Sequence, residues 1–156
     1  MMNDPITTES NLLRERGVTP DDFQMRSFAA IDSGSSVLVA APTSSGKTLV
    51  AEYAIEKTLV VGRTVVYTTP IKALSNQKFK DLCNWLGKEK VGLLTGDNAI
   101  RPNAQVVVMT TEVLRNMIYT GSPVLESLGL VVLDEVHFLQ DPYRGPVWEE
   151  VIMQVP

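Results

Sequence analysis

The chain is nearly free of cysteine. Cys83 stands alone among 156 residues, which excludes an intrachain disulfide and a cysteine-rich zinc site. It reads as a small filler on a helix. Basic residues are not in excess: 14 Lys and Arg against 18 Asp and Glu give a net charge of −4. Bulk electrostatics therefore do not point to nucleic acid, and any such contact must come from a local face. No apolar run approaches the roughly 18 residues of a membrane span. The first residues include Asp4 and lack an apolar core, so they are no signal peptide. The expected location is the cytoplasm. Internal repeats and low-complexity stretches are also missing.

What is present is an alternation of short apolar runs with helical patterns. Residues 1–18 are polar, with a helical patch around Asn11–Arg16, and read as an N-terminal extension. In Thr19-Pro20-Asp21-Asp22, Thr19 reads as a helix cap, Pro20 as a first-turn proline, and the acids sit at the positive dipole end. That helix runs to about Asp32. Ser33-Gly34-Ser35 is a turn, and Ser36–Ala40 is expected as a short apolar strand. A helix from Lys47 to about Val61 ends at Gly62. Thr64–Thr69 is a β-branched strand that Pro70 breaks. Ile71–Leu86 is helical, with Leu74, Phe79, Leu82 and Trp85 at helical spacing. Val91–Leu94, Gln105–Met109 and Leu130–Leu133 are further strands, with Thr111–Tyr119 and Pro123–Leu128 helical between the last two. The fold class is therefore α/β, a parallel sheet with helices on both faces. Val147–Val155 reads as an amphipathic helix that stops just before the end, as in a fragment of a longer protein.

Two segments carry chemistry. Ala41-Pro42-Thr43-Ser44-Ser45-Gly46-Lys47-Thr48 follows an apolar run and opens a helix. Backbone amides from Ser44 to Thr48 are expected to curl around a β-phosphate at the positive end of that helix. Gly46 permits close backbone approach. Lys47 offers an ammonium to the β- and γ-phosphates, and Thr48 a hydroxyl to magnesium. Ala41 stands where the usual loop has its first glycine, a mild departure. The second segment, Asp134-Glu135-Val136-His137, ends the apolar run Leu128–Leu133. At the carboxyl edge of a parallel sheet, Asp134 would hold magnesium, through water, and Glu135 would position or deprotonate the attacking water. His137 would sense the γ-phosphate or couple the site to a neighbouring domain; the plain alternative is a solvated loop histidine. Together the two segments imply NTP hydrolysis.

At these residues the chain resembles superfamily 2 helicases of the DEAH/DExH type, and more narrowly the superkiller-like, exosome-associated RNA helicases and their actinobacterial relatives. The resemblance spans about Thr19 to Val155. Phe23-Gln24 matches the glutamine motif, Ala41–Thr48 motif I, Thr68-Thr69-Pro70-Ile71-Lys72-Ala73-Leu74 motif Ia, and Asp134–His137 motif II. Thr95-Gly96-Asp97 and Thr110-Thr111-Glu112-Val113-Leu114-Arg115 match motifs Ib and Ic, and Arg144-Gly145-Pro146-Val147-Trp148-Glu149-Glu150 is the branch-specific piece.

The resemblance implies a RecA-like ATP-binding domain over 19–156, the first of two in a longer protein, with ATP and magnesium as cofactors. Its partners would be nucleic acid, expected as single-stranded RNA, and the second RecA-like domain. It implies that Gln24 pairs with adenine, although a polar residue at an exposed helix start explains that position equally well. It also implies that Pro70, Lys72, Gly96, Thr110, Thr111, Glu112 and Arg115 grip phosphates without reading bases. Solvated charge is the alternative for Lys72 and Arg115, and a plain turn for Thr95–Asp97. Tyr143, Arg144 and Trp148 read as structural, and Lys78, Lys80, Lys88 and Lys90 as a solvated run. Second-domain motifs and the arginine fingers they carry are absent, so this chain by itself is expected to hydrolyse slowly and not unwind. Three readings compete with an RNA helicase: a DNA helicase of the repair type, a non-catalytic, nucleotide-gated binding module, and an unrelated P-loop ATPase such as a transporter motor.

Overall fold

The computed structural model describes residues 10–40 and 46–135. Ala41–Ser45, His137 and the tail motif with its expected helix lie outside the described residues. The chain divides into two compact units, Met1–Gly62 and Arg63–Pro156.

The first unit is helical. Helix α1 (Asn11–Arg16) is capped by Ser10, whose side chain accepts from Leu13 N. Helix α2 covers Asp22–Asp32 and α3 covers Lys47–Val60. The α2–α3 packing centres on Phe28 and Tyr53, both fully buried, with rings stacked 4.1 Å apart. Burying a tyrosine requires a partner for its hydroxyl, and Tyr53 donates to the Asp32 carboxylate at 2.8 Å. Glu56 of α3 accepts from Ser10 Oγ at 2.7 Å and from Leu12 N at 3.1 Å. Arg16 pairs with Glu52. The helical patch expected in the extension is thus anchored on α3, with Leu12 and Leu13 buried.

Two expectations need correction here. Thr19 does not cap α2. The helix starts two residues later, because the Gln24 side chain accepts from Asp21 N at 2.8 Å and makes Asp21 the cap; Pro20 lies ahead of the helix. Nor is Ser36–Ala40 a strand: it has no regular structure, and Leu38 is 78% exposed. Apolar, β-branched residues make a segment able to pair, but a strand exists only where a ladder partner meets it.

The second unit is a five-stranded sheet of order β3-β2-β4-β1-β5. Its strands are β1 (Thr64–Thr69), β2 (Val91–Leu94), β3 (Ala99–Ile100), β4 (Val106–Thr110) and β5 (Leu128–Leu133). Four strands are parallel; β3 runs antiparallel to β2. Helix α4 (Lys72–Leu86) joins β1 to β2, and α5 (Thr111–Thr120) precedes a 3₁₀ turn at Pro123–Ser127 before β5.

Successive side chains on a strand point to opposite faces, and the contacts sort the helices accordingly. Leu114 of α5 packs with Val66, Val107 and Met109. Lys78 of α4 lies over the ring of Tyr67, and Ser75 of α4 bonds Thr69. Helices α4 and α5 therefore cover opposite faces, as the strand-helix alternation predicts.

The hairpin strand β3 is not foreseen from sequence. Its cause is visible at Gly92 in β2, where a Cβ would lie 2.1 Å from Arg101 O and 2.9 Å from Ile100 O. Only glycine allows that approach. Gly92→Ala is expected to destabilise the fold by about 1–3 kcal/mol through forced backbone shifts. A thermal melt checks this; an unchanged midpoint would mean that the hairpin moves aside freely.

Candidate active site

The first unit presents one end of α3. Gly46 caps it with φ +85° and ψ +19°, a left-handed conformation that disfavours any side chain. A Cβ there would also sit 2.6 Å from Gln24 Nε2. Lys47 and Thr48 follow in the first turn, both exposed, while Leu49 and Val50 are buried and fix the helix. Among the described residues the α3 N-terminus has no side-chain cap and no acidic residue in its first turn, so its partial positive charge favours an anion.

Gln24 is only 4% exposed. Its Nε2 donates to Gly46 O at 2.8 Å while its Oε1 accepts from Asp21 N. The amide therefore ties the start of α2 to the residue that begins α3. Among the described residues these two bonds leave one N–H and one lone pair of the amide unassigned. This tie is not foreseen by the sequence pattern, although the spacing Asp21-x-x-Gln24 is that of a capping box.

In the second unit, the parallel strands end together. Register pairs Thr69 with Thr110, Thr68 with Leu133, and Leu94 with Met109. The segments following these strands consequently share one carboxyl edge: Pro70–Lys72, Thr95–Asp97, Thr110–Arg115 and Asp134–Glu135. From the adjacent strands β1 and β4 the chain leaves over opposite faces, toward β2 on one side and β5 on the other. Such a reversal opens a crevice outside the strand ends where ligands bind in open α/β sheets.

Hydrogen bonds lock this edge. Thr69 Oγ1 donates to Ile71 O at 3.0 Å, so Ser75 is the donor in the 2.6 Å contact between the two hydroxyls. Thr111 Oγ1 donates to Thr69 O at 3.3 Å. Thr110 caps α5 by accepting from Val113 N. The two threonines thus spend their hydroxyls on structure, Thr111 is buried, and so is Pro70. Any ligand contact from Thr110 and Thr111 has to use backbone amides at the α5 N-terminus. Lys72, Gly96 and Glu112 are exposed; Arg115 is half-buried. Lys72 Nζ pairs with Asp97 Oδ2 at 2.5 Å, and Thr95 Oγ1 donates to Asp97 Oδ1 at 3.1 Å. The Lys72 hydrogen bond, then that of Thr95, holds the Asp97 carboxyl below its ordinary value.

Asp134 follows β5. Its amide donates to Thr68 O at 3.0 Å. Its Oδ1 accepts from Glu135 N at 2.9 Å, and its Oδ2 from the Tyr67 hydroxyl at 2.7 Å. Glu135 has φ +61°, an uncommon left-handed conformation for a residue with a side chain, and strain of this kind clusters at functional sites. Asp134 and Thr48 offer hard oxygen donors suited to magnesium. Among the described residues no group of three or more His, Cys, Asp or Glu could form a metal cage.

No helix among the described residues is long and apolar enough to cross a membrane. The DEAD/DEAH box helicase family matches residues 21–156. The probable helicase HelY of Mycobacterium tuberculosis is 59% identical over 136 residues, which is 87% of this chain and 15% of HelY. The ATP-dependent RNA helicase mtr4 of Schizosaccharomyces pombe is 51% identical over 138 residues, 88% of this chain and 12% of mtr4. In structure, the Mycobacterium smegmatis helicase Lhr bound to ssDNA and AMP-PNP superposes with a TM-score of 0.72 at 30% identity, over 92% of this chain and 22% of Lhr. The chain thus spans only a small part of the length of the relatives it matches.

Proposed function

Because the chain belongs to the DEAD/DEAH box helicase family, we propose that it is the first, ATP-binding motor domain (residues 19–156) of an ATP-dependent helicase acting on single-stranded RNA. The observation that carries this reading is the common carboxyl edge: one set of parallel strand ends holds both the acidic pair Asp134–Glu135 and the turns Pro70–Lys72 and Thr110–Arg115. A motor needs hydrolysis and phosphate gripping on one rigid frame, and a sheet edge locked by hydrogen bonds is such a frame.

In this reading Gly46, Lys47 and Thr48 cradle the phosphates at the α3 N-terminus together with Ala41–Ser45. Lys47 neutralises the β- and γ-phosphates, and Glu135 takes the proton of the attacking water. His137 senses the γ-phosphate. Thr48 and Asp134 hold magnesium, which when bound supplies charge neutralisation on the phosphates. Gln24 reads adenine with the part of its amide that the bonds to Asp21 and Gly46 do not use, while those bonds keep Gly46 in place. Lys72, Gly96, Glu112, Arg115 and the amides at Pro70–Lys72 and Thr110–Thr111 line the nucleic-acid track. A second RecA-like domain supplies arginine fingers, worth about 10³ to 10⁵ in rate. A cytoplasmic location goes with this reading.

RNA is favoured by relatives named as RNA helicases, such as mtr4; DNA is the second reading, because Lhr was captured on ssDNA. The discriminating experiment is ATP turnover by the full-length protein with single-stranded RNA, with matched DNA, and with neither. Stimulation by RNA alone is expected. Equal stimulation by DNA would move the protein to the repair type, and none by either would remove the nucleic-acid assignment.

A further inference from the structure

Tyr67 belongs to no motif and reads from sequence as strand filler. In the fold it lies opposite Val132 on β5. Residues two apart share a strand face, so the chain leaving β5 brings Asp134 out on the face of Tyr67, one pleat further along. The phenol is 4% exposed and donates to Asp134 Oδ2 at 2.7 Å, across 67 residues of sequence. The other oxygen, Oδ1, accepts from Glu135 N. Among the described residues each carboxylate oxygen accepts one of these two bonds, and a carboxylate oxygen can accept more than one. Lys78 Nζ, on α4, lies 5.3 Å from the Tyr67 ring centroid; a cation over the ring draws electron density from it and makes the hydroxyl a stronger donor.

We infer that Tyr67 is a positioning residue for the magnesium-holding carboxylate. Its hydroxyl selects the rotamer of Asp134 and leaves the unused acceptor directions facing the open strand edge. This rests on the reading of Asp134 as a magnesium ligand. Tyr67 never touches the cation; it removes the need to order Asp134 at the moment of binding. Partners of this outer kind are typically worth about 10- to 100-fold in metal affinity. The shared helix adds a consequence. Through Lys78, the residue that orients Asp134 is in contact with α4, the helix that begins with the proposed phosphate-gripping Lys72.

Tyr67→Phe deletes one oxygen and keeps the ring, its packing and the cation above it. The test follows binding of a fluorescent ATP analogue to the full-length protein as magnesium is raised, with a parallel titration in chelator and a thermal melt. The magnesium midpoint is expected to rise about 10-fold or more, while affinity in chelator stays within about twofold. Tyr67→Phe placed on Asp134→Asn is expected to shift the magnesium midpoint no further, because the inferred role runs through that carboxylate. An unchanged midpoint in Tyr67→Phe overturns the inference. So does a shift of equal size in the Asp134→Asn background, or an equal loss with and without magnesium, either of which marks general damage to the fold. Wild-type binding that ignores magnesium altogether would instead overturn the reading of Asp134 itself.

Discussion

Lys47→Ala is expected to abolish ATP binding at physiological concentrations and to lower turnover by about 10³-fold or more. Lys47 is the first residue of α3, exposed, directly after a glycine held at φ +85°. Its ammonium is the mobile charge beside amides that already favour an anion. A charge-assisted hydrogen bond is worth about 1.5–3 kcal/mol in the ground state, which is already about one to two powers of ten in affinity. Charge that develops on the transferring phosphoryl group adds a transition-state loss of about 10²- to 10³-fold. Fold stability should barely change, since α3 is fixed by Leu49, Val50 and Tyr53 and not by Lys47. The check is labelled-ATP binding beside a thermal melt. Normal binding by a normally melting variant would make the phosphate-loop assignment wrong.

Glu135→Gln should behave in the opposite way at the binding step. The amide is nearly isosteric with the carboxylate, so the backbone at φ +61° and the Glu135 N–H bond to Asp134 are retained. What disappears is the proton acceptor. ATP should bind with affinity close to that of the wild type, and turnover should fall by about 10²- to 10⁴-fold, the usual contribution of a positioned general base. Single-turnover hydrolysis in the full-length protein separates the two steps. Wild-type turnover would show that Glu135 is not the base. Lys47→Ala and Glu135→Gln thus dissect the proposed reaction: one variant cannot bind, the other binds and stalls.

Much of this was legible in the chain itself. The strand Thr64–Thr69 and the helices at Asn11–Arg16 and Thr111–Thr120 follow from local cues that act within a few residues: β-branched side chains and apolar residues at helical spacing. The parallel sheet follows from the alternation of strands and helices. The chemistry proposed for Gly46-Lys47-Thr48 and Asp134-Glu135 is read from the chain for a different reason. Phosphate and magnesium demand particular donor types at short spacing, so the requirement is written locally.

Sequence could not decide what depends on partners far along the chain. Ser36–Ala40 has the composition of a strand but meets no ladder. Thr19 resembles a cap, yet Gln24 gives that role to Asp21 by bonding its amide. Thr110 and Thr111 look like phosphate grips of equal kind, but one hydroxyl caps its own helix and the other turns inward to Thr69 O. Gly92 is an unremarkable strand glycine until β3 folds back on it. Tyr67 becomes a functional candidate only because β1 and β5, 67 residues apart at the bonded pair, lie in a register that puts Tyr67 and Asp134 on one face. The sequence determined the helices and strands that form locally, the α/β class and the chemical vocabulary of the site. Tertiary structure decided which of those side chains have hydrogen-bond partners, because a buried donor must find its acceptor wherever the fold brings one.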